Sequence, residues 1–308
     1  MIKKILLFFL VQIWFSIFVM SQEKNLSELS LSGKVKYIRI SYFDTQNNYE
    51  KLDSIVKGNR KHSLYLKPEI ENTYNRIGNL IEENKLSLVS GEIKSQNIYL
   101  YNSNEKLIGY KEVFPNDSIG DRKIYQYDKK GNLLEEISLE KDSSIISKII
   151  YEYNEKGQKK NVSMYVKNNL FSKTIYNYSV NGYTEETTLF SVKKIRKYVN
   201  NLIEEQFTYG NKNNLLEKRT YKYNSSRKLL EEKTYSSLGK LVHIYNYEYD
   251  NKDNQILFEH HKDDKLITRW KYQYTKFDKY GNWLQRIDLL DLDNGYWYIE
   301  ERQIKYYD

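Results

Sequence analysis

Few residues in this chain are of types that do chemistry. Of four histidines, His62, His243, His260 and His261, two fall in the stretch "EHHKDDK", Glu259 to Lys265, where histidine and carboxylate concentrate. Adjacent residues on a strand point to opposite faces, so His260 and His261 do not converge on one metal ion, and the segment reads as a connecting loop. Acid pairs recur at Glu82/Glu83, Glu135/Glu136, Glu204/Glu205 and Glu231/Glu232. Glycoside hydrolysis needs two carboxyl groups facing each other across a substrate. Neighbours on a strand diverge, so these acids are expected to pair with lysines across strands, which also discourages edge-to-edge association. There is no cysteine, hence no thiol nucleophile, no disulfide framework and no lipid-attachment cysteine. The zinc-binding His-Glu-x-x-His, the glycine-rich phosphate loop and the Gly-x-Ser-x-Gly elbow do not occur in the sequence. The expectation is a non-enzymatic protein with no catalytic set, cofactor or metal.

The residue that dominates instead is tyrosine, 31 of 308 residues. A Tyr-x-Tyr pair recurs at Tyr99/Tyr101, Tyr125/Tyr127, Tyr151/Tyr153, Tyr176/Tyr178, Tyr221/Tyr223, Tyr247/Tyr249 and Tyr272/Tyr274, with steps of 26, 26, 25, 45, 26 and 25 between second members. The long step holds one degenerate copy, "KYVNNLIEEQFTYG", in which Tyr198 stands alone and the turn is shortened to Val199, Asn200 and Asn201. Tyrosine packs its ring while keeping its hydroxyl wet or bonded. Packing is therefore its principal expected role, and contact with a sugar or a polymer falls to rings left exposed. The candidate contacts are Tyr127, Tyr153, Tyr178, Tyr223, Tyr249, Tyr274 and Trp297.

The elements that carry these rings follow from what lies between them. After most pairs comes a turn cluster and two apolar residues, as in "YDKKGNLLEE", "YNEKGQKKN", "YDNKDNQILFE" and "FDKYGNWLQR". Asp and Asn open tight turns by bonding the backbone two residues on, and Gly supplies positive φ, which gives Asp128, Gly131, Asp278 and Gly281 a geometric task. The intervening segments run four to eight residues and are rich in Tyr, Ile, Leu and Thr, so they read as strands. Tyrosines two apart share one face while Glu152, Asn177, Lys222, Glu248 and Gln273 take the other. Leu133, Leu215 and Leu229 are placed on the tyrosine face. Each repeat is one antiparallel hairpin, and a lone hairpin is marginal in water. Stacked units add cross-strand aromatic pairs worth roughly 0.2 to 1 kcal/mol each. About ten units imply about twenty strands. The predicted fold is all-β, antiparallel hairpin repeats forming a curved superhelical strip or a partly closed shell.

The chain opens "MIKKILLFFLVQIWFSIFVMSQEKN", two lysines ahead of an apolar run that Gln12 and Ser16 interrupt before it reaches a membrane span. Residues 1–21 read as a secretory signal peptide, leaving a mature chain with no transmembrane segment, exported to the periplasm, the cell surface or the medium. Residues 22–72, with the strand-like "GKVKYIRISYFD", are assigned to an N-terminal capping β segment, and 73–308 to the repeat domain. In that opening strand Ile38, Ile40 and Tyr42 share one side. Net charge is +8, falling to +6 without Lys3 and Lys4. That is mild, and the run "KKIRK", Lys193 to Lys197, reads as part of a solvated charged face and not as a nucleic-acid site. Mean hydropathy is −0.77, while the aromatic content of 15% is the wrong signature for disorder.

At the units "YDKKGNLLEE" and "FDKYGNW", and partly at "YNEKG" and "YDNKDN", the sequence resembles the YD-repeat or RHS-like proteins over about Tyr74 to Asp308, with MORN-type hairpin repeats as a near neighbour. The resemblance implies a β-hairpin strip, in large members a shell enclosing a toxin domain, or a surface for carbohydrate or protein contact. This chain ends inside its last unit without an effector segment, so the toxin shell is not the expectation. What is expected is an exported protein binding a cell-envelope glycan or a protein partner, with a scaffold or neutralising role in a toxin/antitoxin system as the alternative.

Overall fold

The computed structural model describes residues 31–45, 57–60, 69–87, 90–291 and 296–308. The proposed signal peptide and most of the turn-rich stretch before Pro68 lie outside them. The strands are β1 (Val35–Thr45), β2 (Lys57–Arg60), β3 (Ile70–Tyr74), β4 (Leu80–Leu86), β5 (Ile93–Tyr101), β6 (Leu107–Val113), β7 (Ile119–Tyr127), β8 (Leu133–Leu139), β9 (Ile145–Tyr153), β10 (Lys159–Val166), β11 (Asn169–Tyr178), β12 (Gly182–Leu189), β13 (Val192–Val199), β14 (Leu202–Tyr209), β15 (Leu215–Tyr223), β16 (Leu229–Ser236), β17 (Leu241–Tyr249), β18 (Gln255–Lys262), β19 (Lys265–Phe277), β20 (Trp283–Leu290) and β21 (Tyr296–Tyr306). From β3 onward each strand pairs antiparallel with its successor, so the all-β hairpin repeat is as the sequence indicates.

The outline is not the strip or partly closed shell expected from strand number and twist. Strand β1 pairs on one side with β3, Tyr37↔Thr73 to Ile40↔Ile70, and on the other with β21, Tyr37↔Lys305 to Asp44↔Tyr298. Twenty strands, β1 and β3 to β21, thus close into an antiparallel barrel, and β2 adds a short pairing to β1 at Phe43↔Arg60. The physical reason is the edge problem. A twenty-strand sheet leaves two rows of unpaired N–H and C=O groups, and only closure removes both. The N-terminal strand does so by inserting between the first and last hairpins. At about 4.8 Å per strand the wall measures roughly 96 Å around, a backbone diameter of at least about 30 Å.

Residues directly paired across strands share a face, so the register assigns every side chain. The tyrosine pairs fall on the same face as Ile38, Ile40, Tyr42, Tyr74 and Leu80, a buried cluster at the closing seam. That face also buries Glu136, Thr187, Gln206, Thr234 and Asp288. It is the crowded, concave side of the wall. The Leu register agrees: Leu133 is 7% exposed opposite Tyr127, whereas Leu134, Leu216 and Leu230 stand out at 37–38%.

The turns form as their residues dictate. Asp128 Oδ1 accepts from the N–H groups of Lys130 and Asn132, both at 2.8 Å, and Asp250 and Asp278 repeat this arrangement. Gly131 and Gly281 both sit at φ +83°. Asn75, Asn102 and Asn154 accept equivalent bonds where the aspartate is replaced.

Burial raises the phenols of this face. Tyr247 and Tyr272 are pushed up to about 12, and Tyr99, Tyr125, Tyr176 and Tyr221 further. A phenol raised in the folded state contributes stability that is complete below its unfolded value near 10 and is lost as pH rises through the folded value. The share of phenolate absorbance that belongs to these buried tyrosines is therefore expected to be missing at pH 10 and to appear together with loss of the β-sheet circular dichroism signal near pH 12.

Candidate functional site

The second tyrosine of each pair stands on the concave face close to the Asx-turn rim, and in all of them but Tyr223 its hydroxyl donates to a main-chain carbonyl of the preceding hairpin. Tyr101 bonds Leu80 O at 2.7 Å, Tyr127 bonds Leu107 O at 2.7 Å and Tyr153 bonds Leu133 O at 2.8 Å. Tyr178 bonds Lys159 O at 2.9 Å, Tyr249 bonds Leu229 O at 2.9 Å and Tyr274 bonds Gln255 O at 3.0 Å. Tyr307 carries the pattern across the seam to Tyr74 O at 2.6 Å. Tyr223 lies on the same face of β15. The six candidate tyrosines are therefore gathered into one row. Trp297 is not among them: it is on the opposite face, 6% exposed, packed with Ile287 and Ile299.

The row is interrupted where the repeat is. The β11–β12 turn closes with Ser179 N–H on Gly182 O, and the β13–β14 turn has only Asn200 and Asn201, both left-handed at φ 51° and 62°. Neighbouring turns are five residues long. The short turns border a cleft of about 410 Å³, lined by Gln158, Lys159, Tyr176, Tyr178, Ser179, Gly182, Tyr183, Glu185 and Asn201. Tyr178 is 39% exposed. Tyr183 lies 5.6 Å from it and is stacked on its other side against Tyr198, centroids 4.5 Å apart and 7° from parallel. Glu185, on the floor, accepts from the Tyr198 hydroxyl at 3.0 Å and faces Arg196 at 3.4 Å. Gly182 is required for the close approach of β12 and β13, since a Cβ there would stand 1.9 Å from the Tyr198 carbonyl oxygen. Deeper on the same wall, burial, with Arg196 and Arg219 adding to it, draws the Lys194 ammonium down to about 8.

The acids divide as strand geometry requires. Glu136 points inward, 2% exposed and bonded by the Tyr151 hydroxyl, while Glu135 points outward to Lys148 at 2.8 Å. Glu232 points inward to Arg219 at 2.9 Å, and Glu231 outward to Lys222 and Lys233. Inward carboxylates recur along the wall: Glu83, Glu136, Glu185, Glu232 and Asp288 lie on β4, β8, β12, β16 and β20, and Glu217 on β15 and Glu300 on β21 join Glu232 and Asp288 at Arg219 and Arg286. In the "EHHKDDK" stretch His260 faces inward, stacked on Tyr245 at 4.5 Å and 2.9 Å from His243, while His261 faces outward to Glu259. Among the described residues no group of three or more His, Asp or Glu is placed to hold a metal.

Tyr183, Glu185 and Lys159 are site residues that the repeat pattern alone does not single out. The signal that marks them is the 45-residue step, because the broken copy shortens the turn.

No family model and no curated protein matches the chain. Matches to solved structures are at low TM-scores. A porin-like protein from Bacteroides uniformis is 10% identical, with 89% of this chain and 98% of that one covered and a TM-score of 0.35. TcdB2-TccC3-Cdc42 is 12% identical over 75% of this chain at a TM-score of 0.19, and the Photorhabdus luminescens Tc holotoxin pore 12% identical over 73% at 0.18. The chain spans about a sixth of the length of those toxin components. At these scores the likeness carries no function across.

Gly182→Ala is expected to destabilise the protein by at least about 2 kcal/mol through backbone displacement. Gly157→Ala, left-handed at φ +74° but with no atom within 4 Å of the new Cβ, should cost about 1 kcal/mol. Urea unfolding of the two variants checks the order.

Proposed function

We propose that this chain is an exported, non-enzymatic repeat protein of YD/RHS-like type that binds a cell-envelope glycan or a protein partner through the tyrosine-lined rim of its barrel. The observation that carries the reading is the cleft at Tyr178 and Tyr183, where the aromatic row is most open and amide, hydroxyl and carboxylate groups surround it. Aromatic faces beside a few placed polar groups are what a binding site requires. The inward acids support a non-catalytic role because several are tied to arginine, as Glu217 and Glu232 are to Arg219 and Asp288 and Glu300 to Arg286.

The outer wall supports a barrel standing in water. Lys148–Glu135, Lys197–Glu205, Lys218–Glu205, Lys222–Glu231, Arg269–Glu259 and Lys271–Asp291 are paired on it at 2.6 to 3.0 Å. A membrane barrel presents an apolar band about 25 Å tall, and a lysine at its midplane costs roughly 2 to 4 kcal/mol. The described residues hold no helix long and apolar enough to cross a membrane. A second reading, a scaffold or neutralising component of a toxin/antitoxin system, is favoured by the width of a twenty-strand barrel, which side chains do not fill. A neighbouring small effector gene is its expected companion.

The purified protein is expected to remain monodisperse without detergent, and a glycan array together with an envelope pull-down should return a ligand whose binding drops roughly ten-fold in Tyr178→Ala. Empty results from both screens at high protein concentration contradict the reading.

A further inference from the structure

The geometry points to a metal site on the inner wall: His243 on β17 and His260 on β18 form a pair of nitrogen donors for one divalent transition-metal ion, copper(II) ahead of nickel or zinc. The site is independent of the glycan or partner reading. The divergence of His260 and His261 along their strand holds, with His261 turned outward to Glu259, and the second donor comes instead from across the strand pair. In the register Tyr245 lies opposite His260 and His243 opposite Lys262, so the two imidazoles meet on the diagonal. His243 Nδ1 stands 2.9 Å from His260 Nε2, with the ring centres 5.2 Å apart. Two imidazoles bound to one ion at about 2.0 to 2.1 Å hold their nitrogens about 2.9 Å apart at a right angle and about 3.3 Å apart at the tetrahedral angle. The pair reaches either arrangement by pivoting its rings.

Packing sets the donors in advance. Tyr245 stacks on His260 with centres 4.5 Å apart and 12° from parallel, and lies against His243 at 6.1 Å and 21°. Thr234, 5% exposed, is opposite His243 on β16. Rings confined in this way have less rotamer freedom to lose on binding than surface histidines. Between neutral rings one facing nitrogen donates its proton to the other. When an ion binds, that proton moves to the far nitrogen of its own ring, so both facing nitrogens offer lone pairs and the proton count is unchanged. The donor set selects the metal. Imidazole suits copper, nickel and zinc, whereas calcium and magnesium require oxygen ligands. Lys262, opposite His243 on the same face, further disfavours an ion held by charge alone. Among divalent first-row ions copper(II) binds such nitrogens most strongly. With two protein donors, the remaining positions belong to water or to a small ligand from the barrel interior.

The test is calorimetric titration of the untagged protein with copper(II), nickel, zinc and calcium chlorides, together with electron paramagnetic resonance of the copper complex. One copper per chain should bind, more tightly than nickel or zinc, with no calcium uptake, and the spectrum should show two imidazole nitrogens. His243→Ala and His260→Ala should each lower copper affinity at least about ten-fold and leave one imidazole nitrogen. His261→Ala, and His62→Ala outside the described residues, should bind as the unaltered protein does. No copper uptake at concentrations on the order of 100 μM, or fewer than two imidazole nitrogens in the unaltered protein, overturns the site. So does binding that survives in His243→Ala and His260→Ala but falls in His261→Ala or His62→Ala. Where a variant fails to fold, the nitrogen count in the unaltered protein decides.

Discussion

The structure depends on one strand being bonded on both sides. Strand β1 holds β3 through four paired residues and β21 through a run reaching from Val35 to Asp44, and without it the last and first hairpins would each present an unpaired edge to solvent. Closure fixes the inside and the outside of the wall. Because side chains alternate strictly along a strand, that single decision sends every Tyr-x-Tyr pair inward and every intervening Gln126, Glu152, Lys222 or Glu248 outward. The seam is also where apolar burial is densest, with Val35, Ile38, Tyr74 and Leu80 at 0–2% exposure, as befits the joint that has no covalent hairpin to hold it.

Elsewhere the wall is thin, and tyrosine supplies what a thick core would. Each second ring but that of Tyr223 spans from its own strand to the carbonyl of the previous hairpin, so one side chain both covers apolar area and ties two units together. A bond of this kind contributes roughly 1 kcal/mol net, and its recurrence from Tyr101 to Tyr307 makes the barrel a sum of like steps, in the manner of repeat proteins whose units contact mainly their neighbours. Ring contacts follow the same rule, running between adjacent or next-but-one strands, as in Tyr99–Tyr110, Tyr183–Tyr198 and Trp270–Tyr298.

Much of this was legible in the sequence because the determinants are local. The 25–26 residue step, the Asx-turn chemistry of Asp128 and Asp278, and the opposite orientations of Glu135 and Glu136 all follow from strand alternation and turn stereochemistry. Closure was not legible, because the closing residues lie in an N-terminal segment without the repeat signature, and their partners in β21 are more than 250 positions away. The cleft was half legible: Tyr178 belongs to the periodic set, but Tyr183 and Glu185 reach it only through the shortened copy. Trp297 was misleading as a companion to the tyrosines, since it lies one residue off the inward register set by Tyr298 and Glu300 and is buried on the far face.

The absence of cysteine from the sequence allows closure to be tested without background. Ser41 on β1 and Glu301 on β21 are direct cross-strand partners, and antiparallel neighbours lie within the Cα separation that a disulfide accepts. In the double variant Ser41→Cys, Glu301→Cys, mild oxidation of dilute protein should join the two ends within one chain, seen by mass spectrometry of the linked peptides, while a control pairing Ser41→Cys with Gln126→Cys stays reduced. Free thiols in the first variant under conditions that preserve its β-sheet spectrum, or linkage only between separate chains, would contradict the closed barrel and the inward tyrosine row that follows from it.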